Sequence, residues 1–488
     1  MAAICDAALR FPSHAQRSSP LVEGRHFMSQ REYIHDLIGV GFGPSNLALA
    51  VRLAENGGAP GAHCFIERQP EFGWHRGMLL DDSRMQISFL KDLVTMRDPK
   101  SRFTFINYLF ERGRLQDFVN LKSFYPTRIE FHDYLRWVAS AFDDQVHYGE
   151  SVTQIEPVAD ENDPRTVTHL RVHSRDAQGK ERHRLTRALS VGMGGVPQIP
   201  AAFAALRDAA VIHSSNYLTT IGNLIGDGMG DTARRRVAVV GSGQSAAEVF
   251  IDLTRRFPHV DATLVMRAPA LKPADDSPFV NEIFNPSFTD LIYSQPKDAR
   301  RSLLDTFRDT NYSVVDRPLI EQIYELLYVQ NVSGTARHRL LNNCAIESVC
   351  EVQGAQGNEI DMRLRDRMDG DACAERFDAV VLATGYRRDA HHALLDPLAD
   401  ALGKPIEQCE VARDYLLATP AHFQPRIYLQ GCCEDSHGLS DTLLSILARR
   451  ADEIAGSLEA GNNENSFAVQ TRTGAQTGVS GGRVAFAL

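Results

Sequence analysis

Apolar and polar positions fall in blocks along this chain, and two of the blocks repeat each other. The largely apolar run Ile34 to Val40 has the character of a parallel strand covered on both faces. After it, "PSNLALAVRLAEN" places Leu47, Ala48, Val51 and Leu53 at helical spacing, and a second strand ends at Glu67. The order returns farther on, with a strand at Val237–Val240, a helix, and a strand closing in "TLVMR". Two more apolar strands stop abruptly: "RALSVGMGGVPQIP" at Gly192, Gly194 and Gly195, and "FDAVVLATGYRRD" at Thr384-Gly385. A last strand enters "HGLSD", and a helix is predicted to start near Ser440 or Asp441. This alternation predicts an α/β fold with two Rossmann-like domains, the second inserted in the first. The expected division is 34–195 with 386–458 for the outer domain and 205–380 for the inserted one. Residues 1–33 read as a flexible extension, and 461–488, rich in Gly, Asn, Gln and Thr, as a disordered tail.

The glycines between strand and helix turn this pattern into chemistry. In "GVGFGPS", Gly39 makes the tight turn and Gly41 lets a pyrophosphate approach the backbone. Pro44 takes the third glycine's place, which suits a first helical turn. Gly43 and Ser45 complete the turn, and the helix points its N-terminus at the phosphates. Glu67, 28 residues after Gly39, is placed to accept from an adenosine ribose. In the repeat, "GSGQSA" supplies Gly241, Ser242, Gly243, Gln244, Ser245 and Ala246, while Arg267 stands where the acidic residue would be. An arginine there pairs with a 2′-phosphate, so NADPH is favoured over NADH. Tandem folds of this type divide the labour, FAD on the first and the nicotinamide on the second.

Composition narrows the partners. Hydrophobic residues make up 43% and charged ones 23%, a soluble globular balance. A net charge of −10 argues against nucleic acid or an anionic membrane as the main partner. No apolar run approaches the ~20 residues of a membrane helix. Eight cysteines without a C-x-x-C, and no metal-like histidine spacing, fit a reducing cytoplasm without disulfides or metal. The adjacent Cys432 and Cys433 read as buried packing. Reduced flavin passes electrons to a disulfide, a quinone or oxygen. The missing C-x-x-C disfavours the first and the absent membrane helix the second, which leaves O2.

One stretch breaks the alternation. "MQISFLKDLVTMRDPKSRFTFINYL", Met85 to Leu109, is too apolar for a free linker, and it is expected to bury or nearly bury Gln86, Lys91 and Asp92. A buried ammonium without a partner is costly, so Lys91 should have one.

Several long motifs name a family. "DLIGVGFGPSNLALA", "FGWHRGMLL", "MQISFLKDLVTMRDP", "VVGSGQSAAEVF", "DDSPFVNEIFNP", "NYSVVD", "LATGY" and "HGLSDTLLS" together resemble the microbial amine N-hydroxylases of siderophore biosynthesis, and among them the L-ornithine 5-monooxygenases. The resemblance spans about Tyr33 to Leu458. It implies that Lys91 binds the amino acid's carboxylate and that Gln86 lies beside the flavin. It implies that Asn281 holds the α-amino-acid end, and that Asn311 lies near the side-chain amine and the nicotinamide. It implies that Ser440 lines the same cavity and that Ser440 and Leu443 contact FAD, and substrate segments are expected at 85–109 and 275–316. Trp74 and His75 are expected to pack near the flavin, and Thr384, Gly385 and Tyr386 beside NADPH. His75 reads as a packed or surface histidine before an acid or base. A tetramer of identical chains is also implied.

The implied reaction is N-hydroxylation of L-ornithine with NADPH and O2 through a flavin hydroperoxide, NADP⁺ staying bound. The side-chain nitrogen must react as a neutral amine; at a pKa near 10.4, neutralising it at pH 7 costs about 4.6 kcal/mol unless the site helps. Activity that rises with pH is therefore expected. L-Lysine 6-hydroxylation is the alternative, because one methylene is worth only ~1–3 kcal/mol in a pocket. A non-oxygenating NADPH:flavin reductase and an NADPH-sensing regulator are further readings, neither of which needs Lys91, Asn281 and Asn311 together.

Overall fold

The computed structural model describes residues 32–57, 61–206, 210–226, 233–354 and 357–470. Its frame is ten short strands: β1 (Leu37–Val40), β2 (His63–Glu67), β3 (Val146–Tyr148), β4 (Ala188–Val191), β5 (Val211–His213), β6 (Arg235–Val240), β7 (Val260–Val265), β8 (Arg339–Leu341), β9 (Ala379–Leu382) and β10 (Arg426–Leu429). They form two five-stranded sheets, ordered β10-β4-β1-β2-β3 and β5-β9-β6-β7-β8, and every pairing in both is parallel. The second sheet is built wholly from chain that lies between β4 and β10 of the first. Strands β1, β4 and β9 are buried along their whole length, as parallel strands covered on both faces must be.

The helices follow the same doubling. Central strand β1 leads into α1 (Pro44–Glu55), whose Leu47, Leu49, Val51 and Leu53 are buried. Helix α2 (Arg128–Ala139) packs Phe131, Tyr134, Leu135 and Val138 into the first core. Central strand β6 leads into α3 (Gln244–Arg256), which buries Val249, Phe250 and Leu253. Helix α4 (Arg317–Ser333) lies on the second core through Ile323, and α5 (Leu447–Gln470) closes the first through Leu447, Ala451, Ile454 and Leu458. An antiparallel meander precedes β4 (150–159, 167–176, 181–186), and another precedes β9 (344–354, 357–366, 372–377). The two segments that cross between sheets pair with each other, Val196–Pro197 antiparallel to Tyr386–Arg387. No helix among the described residues is long and apolar enough to cross a membrane.

Two expectations change here. Helix α5 continues to Gln470, past Gly461 where the tail was placed; a helix already packed by its first half adds residues at little cost. Residues 471–488 and 1–31 lie outside the described residues. The helix expected at Ser440 starts instead at Leu447, and Leu439–Thr442 is a 3₁₀ turn. Gly438, at φ +93, ends the short helix Glu434–His437, and the Asp441 carboxylate then holds the turn by accepting from Cys433 N at 2.6 Å.

Candidate functional site

The first glycine turn is shaped by contact. A Cβ on Gly39 would lie 2.3 Å from Phe65, and Gly41, at φ +80, sits against the Gly192 carbonyl, 2.7 Å from where a Cβ would be. Gly43 faces open space, with nothing within 4 Å of an added Cβ. Pro44 occupies the first helical position of α1, and the N–H groups of that turn have no carbonyl behind them in the helix. Glu67 is buried at the end of β2, where Oε2 accepts from Phe42 N at 2.7 Å and Oε1 from Gln69 N at 2.8 Å. Ser45 Oγ accepts from Arg450 Nη2 at 2.8 Å.

A buried brace that the motif reading missed lies under this turn. Asn46 donates to Gly41 O at 2.7 Å, and its Oδ1 accepts from Ser190 Oγ at 2.7 Å and Gln430 Nε2 at 2.9 Å. It ties the turn to the ends of β4 and β10. The signal was an asparagine inside the apolar face of "PSNLALAV".

The second turn repeats the design. A Cβ added to Gly241 would fall 2.4 Å from the Ala383 carbonyl oxygen, and Gly243 is the N-cap of α3. Ser242, Gln244 and Ser245 are half-buried around it. Arg267 is exposed just past β7 with no carboxylate partner among the described residues, and its carbonyl accepts from Arg367 Nη1 at 3.0 Å. Thr384 donates to Gln198 O, and Gly385 O accepts from Gln198 N at 2.9 Å, so this second turn rests on the crossing strands.

Residues 85–104 contain no helix and no regular strand. Asp92 holds them together. Its carboxylate is buried and accepts from Val94 N, Thr95 N, Thr95 Oγ1 and Phe105 N at 2.6 to 2.9 Å. Burial raises its pKa and those four bonds oppose the rise. The carboxylate next to Lys91 is therefore committed to its own loop. Lys91 itself is half-buried, and its ammonium has no hydrogen bond or ion pair among the described residues. Its pKa is lowered, and desolvation is the cause.

Gln86 corrects an expectation: its side chain is exposed rather than buried. The loop carries it out to the second sheet's segment, where Nε2 donates to Asp316 Oδ1 at 2.9 Å. Asn281 is half-buried in the 3₁₀ turn Val280–Phe284 and donates to Asp276 O at 2.8 Å. That turn packs on the 3₁₀ turn of Ser440. Ser440 is fully enclosed, with Oγ 3.4 Å from Thr289 Oγ1, and Leu443 follows in extended conformation. Asn311 closes the 3₁₀ turn Arg308–Thr310 with its side chain half-buried, and beside it Tyr312 donates to Glu434 at the start of the helix before "HGLSD". Burial raises the Glu434 pKa, while the tyrosine hydroxyl opposes the rise. The structure thus joins the Gln86, Asn281, Asn311 and Ser440 segments, and leaves the Lys91 ammonium unsatisfied on the same loop as Gln86.

Trp74 and His75 lie between the sheets. The Trp74 ring meets Phe131 at 6.1 Å and His75 at 4.8 Å, and the Tyr386 ring stands 6.4 Å from His75 and 5.1 Å from His213. His75 keeps open surface yet sits deep among protein atoms. Desolvation, then Arg128 and Arg388, push its pKa down to about 4, so it is neutral at pH 7. No cluster of three or more metal-ligating side chains occurs among the described residues.

Comparison with known proteins adds to this geometry. The family model for L-lysine 6-monooxygenase/L-ornithine 5-monooxygenase matches residues 33–388. The L-ornithine N(5)-monooxygenase of Burkholderia cepacia is 72% identical over 410 residues, 84% of this chain and 91% of that one. Ornithine hydroxylase from Pseudomonas aeruginosa shares the fold with a TM-score of 0.81 at 50% identity, covering 88% of this chain and 99% of that one. An ornithine N-hydroxylase from Kutzneria sp. 744, solved with reduced FAD, NADP⁺ and L-ornithine, has a TM-score of 0.80 at 37% identity over 88% of this chain and all 100% of its own. With two glycine turns after the central strands of nested parallel sheets, and relatives this similar over most of its length, the chain belongs to the L-lysine 6-monooxygenase/L-ornithine 5-monooxygenase family.

Proposed function

We propose that this protein N-hydroxylates the side-chain amine of L-ornithine with FAD, NADPH and O2, supplying N-hydroxyornithine for hydroxamate siderophores. The observation that carries the substrate reading is the Lys91 ammonium, half-buried with no counter-charge among the described residues and beside an already committed Asp92. A carboxylate-bearing substrate is the natural partner for such a group. Ornithine is favoured over lysine because the relatives at 72% and 50% identity are ornithine enzymes.

The residues present fit both cofactors. The open side of Gly43, the first turn of α1 and the buried Glu67 suit the FAD pyrophosphate and ribose. Gly243, the first turn of α3 and Arg267, without a carboxylate partner among the described residues, suit NADPH with its 2′-phosphate. The outer sheet with α1 and α5 is then the FAD domain, and the inserted sheet with α3 and α4 the NADPH domain. When bound, FAD reduced by NADPH supplies activated oxygen. The chain's own part is to clamp the substrate carboxylate at Lys91 and to line the amine end with Asn281, Asn311 and Ser440. None of these three side chains carries charge, so none competes with a neutral amine for the proton. Free cysteines at 64, 344, 350, 373, 409, 432 and 433 fit a reducing cytoplasm.

Two outcomes follow. Gly41→Ala forces a side chain at φ +80 into a backbone carbonyl that cannot retreat, so the purified protein should lose most of its FAD, about 100-fold in affinity or ~2.7 kcal/mol. Flavin content by absorbance checks it, and a yellow variant with full FAD would count against the placement. The activity test counts NADPH, peroxide and hydroxylamine with and without L-ornithine or L-lysine, between pH 7 and 10. Ornithine-dependent hydroxylamine is expected, with kcat rising as the amine loses its proton. Lys91 works only when protonated and its pKa lies below the usual 10.5, so kcat/KM should turn down again on the alkaline side. NADPH turned entirely into peroxide, whatever amine is added, would leave only the reductase reading.

A further inference from the structure

Asp316 stands at the N-cap of α4, where an aspartate ordinarily accepts from a backbone N–H of the first turn. Its side chain makes no such bond. Both oxygens are turned away from the helix they precede: Oδ1 accepts from Gln86 Nε2 at 2.9 Å and Oδ2 from Gln244 Nε2 at 3.2 Å. The Asp316 N–H donates to Gln244 Oε1 at 2.8 Å, so one glutamine holds it from two sides.

Gln244 opens α3, directly after the second glycine turn, and also donates to Glu248 Oε1 at 3.0 Å. Glu248 in turn is gripped by Arg128 of α2 through two bonds of 2.8 and 2.9 Å, and Arg128 Nη1 donates to Met78 O at 2.9 Å. A continuous set of contacts therefore runs from α2 to the N-terminus of α3 and ends on one exposed amide of the 85–104 loop. Forgoing a cap costs the helix stability. Burial also raises the Asp316 pKa: the Gln86 bond opposes that rise, nearby Glu248 adds to it, Arg128 opposes it and Asp276 adds to it. A carboxylate held there against both costs acts outside its own helix.

An ionised carboxylate only accepts, so it fixes the Gln86 amide with its NH₂ end toward Asp316. Gln86 Oε1 and the second N–H have no protein partner among the described residues. We propose that Asp316 is a positioning residue for the N-hydroxylation reaction: through Gln86 it sets which end of that amide meets the paired cofactors, and through Gln244 it ties that choice to the NADPH turn. This rests on the function proposed above and on the family resemblance, which implies that Gln86 lies beside the flavin.

A double-mutant cycle on the FAD-loaded enzyme tests it, with Asp316→Ala, Gln86→Ala and both together. Two quantities are read: the NADP⁺ dissociation constant by absorbance titration of the oxidised protein, and hydroxylated ornithine formed per NADPH consumed. Each single variant should weaken NADP⁺ by about 3- to 10-fold and lower the product ratio by a similar factor, with the double no worse than Gln86→Ala within about twofold. Asp316→Asn, which can show Gln86 either amide end, should fall between wild type and Asp316→Ala. Where Asp316→Ala does not fold, the cycle is run with Asp316→Asn. Single effects that multiply in the double variant, or a change in melting temperature alone, would overturn the proposal. A wild-type enzyme that makes no hydroxylated ornithine overturns the function instead, and the NADP⁺ half of the cycle still decides the role of Asp316.

Discussion

Lys91→Ala should raise the KM for L-ornithine by roughly 30- to 1000-fold while FAD stays bound, the range set by the ~2–4 kcal/mol that truncating one partner of an enclosed charge pair removes. The reasoning is local. Asp92, the neighbouring carboxylate, already spends its oxygens on Val94, Thr95 and Phe105, so no group among the described residues answers the ammonium. In the proposed function a substrate carboxylate offsets the desolvation of Lys91 in the free protein. Lys91→Arg keeps the charge but widens and flattens it, and an intermediate KM is expected. Product per NADPH at saturating ornithine should suffer less than KM, because in the proposed function the residue holds the end of the substrate remote from the reacting nitrogen. A Lys91→Ala enzyme with wild-type KM would show that the ammonium faces something other than the amino acid.

Much of this arrangement was legible because parallel strands and glycine turns write themselves locally. "GVGFGPS" and "GSGQSA" each sit between a strand and a helix that follow directly in sequence, and the nested sheets follow from where the apolar strands stop. The 85–104 loop had no period to read, so Gln86 was expected inside and is found outside. Asp92 was visible as a buried charge, yet its use as a staple depends on a fold that brings Phe105 back to it. Asp316 was harder still. In "NYSVVD" the sequence singled out Asn311, and only the partners at Gln86 and Gln244 reveal what Asp316 holds. The expectation for Ser440 failed because a strand followed by polar residues signals a helix start, whereas Gly438 and Asp441 impose a tighter turn first.

Asp441→Ala should destabilise the protein by about 3–5 kcal/mol, the largest effect on stability expected of any single change described. Its side chain is 0% exposed and that of Arg450 1%, with Nη1 and Oδ1 2.8 Å apart. Arg450 also donates to Asp441 O at 2.6 Å and to Ser45 Oγ at 2.8 Å, so the pair links the "HGLSD" turn to the first turn of α1. Removing the carboxylate leaves an enclosed guanidinium without counter-charge and frees Cys433 N as well. Melting temperature and FAD retention should fall together. Pairing the change with Arg450→Met should recover much of the loss, since the uncompensated charge goes with it. A drop no larger than that from breaking the exposed Arg175–Glu181 pair would refute this account of the site.

The pairing of Val196–Pro197 with Tyr386–Arg387 has a consequence for how such a nested chain came to be workable. The way out of the outer sheet and the way back lie side by side, joined by backbone hydrogen bonds. To the outer sheet, everything between them is a loop closed at its mouth, and the cost of closing it grows only slowly with the length inserted. To the inner sheet, the same pairing brings its two ends together, which is the geometry that lets a stretch of chain complete its own core. Neither half need wait for the other.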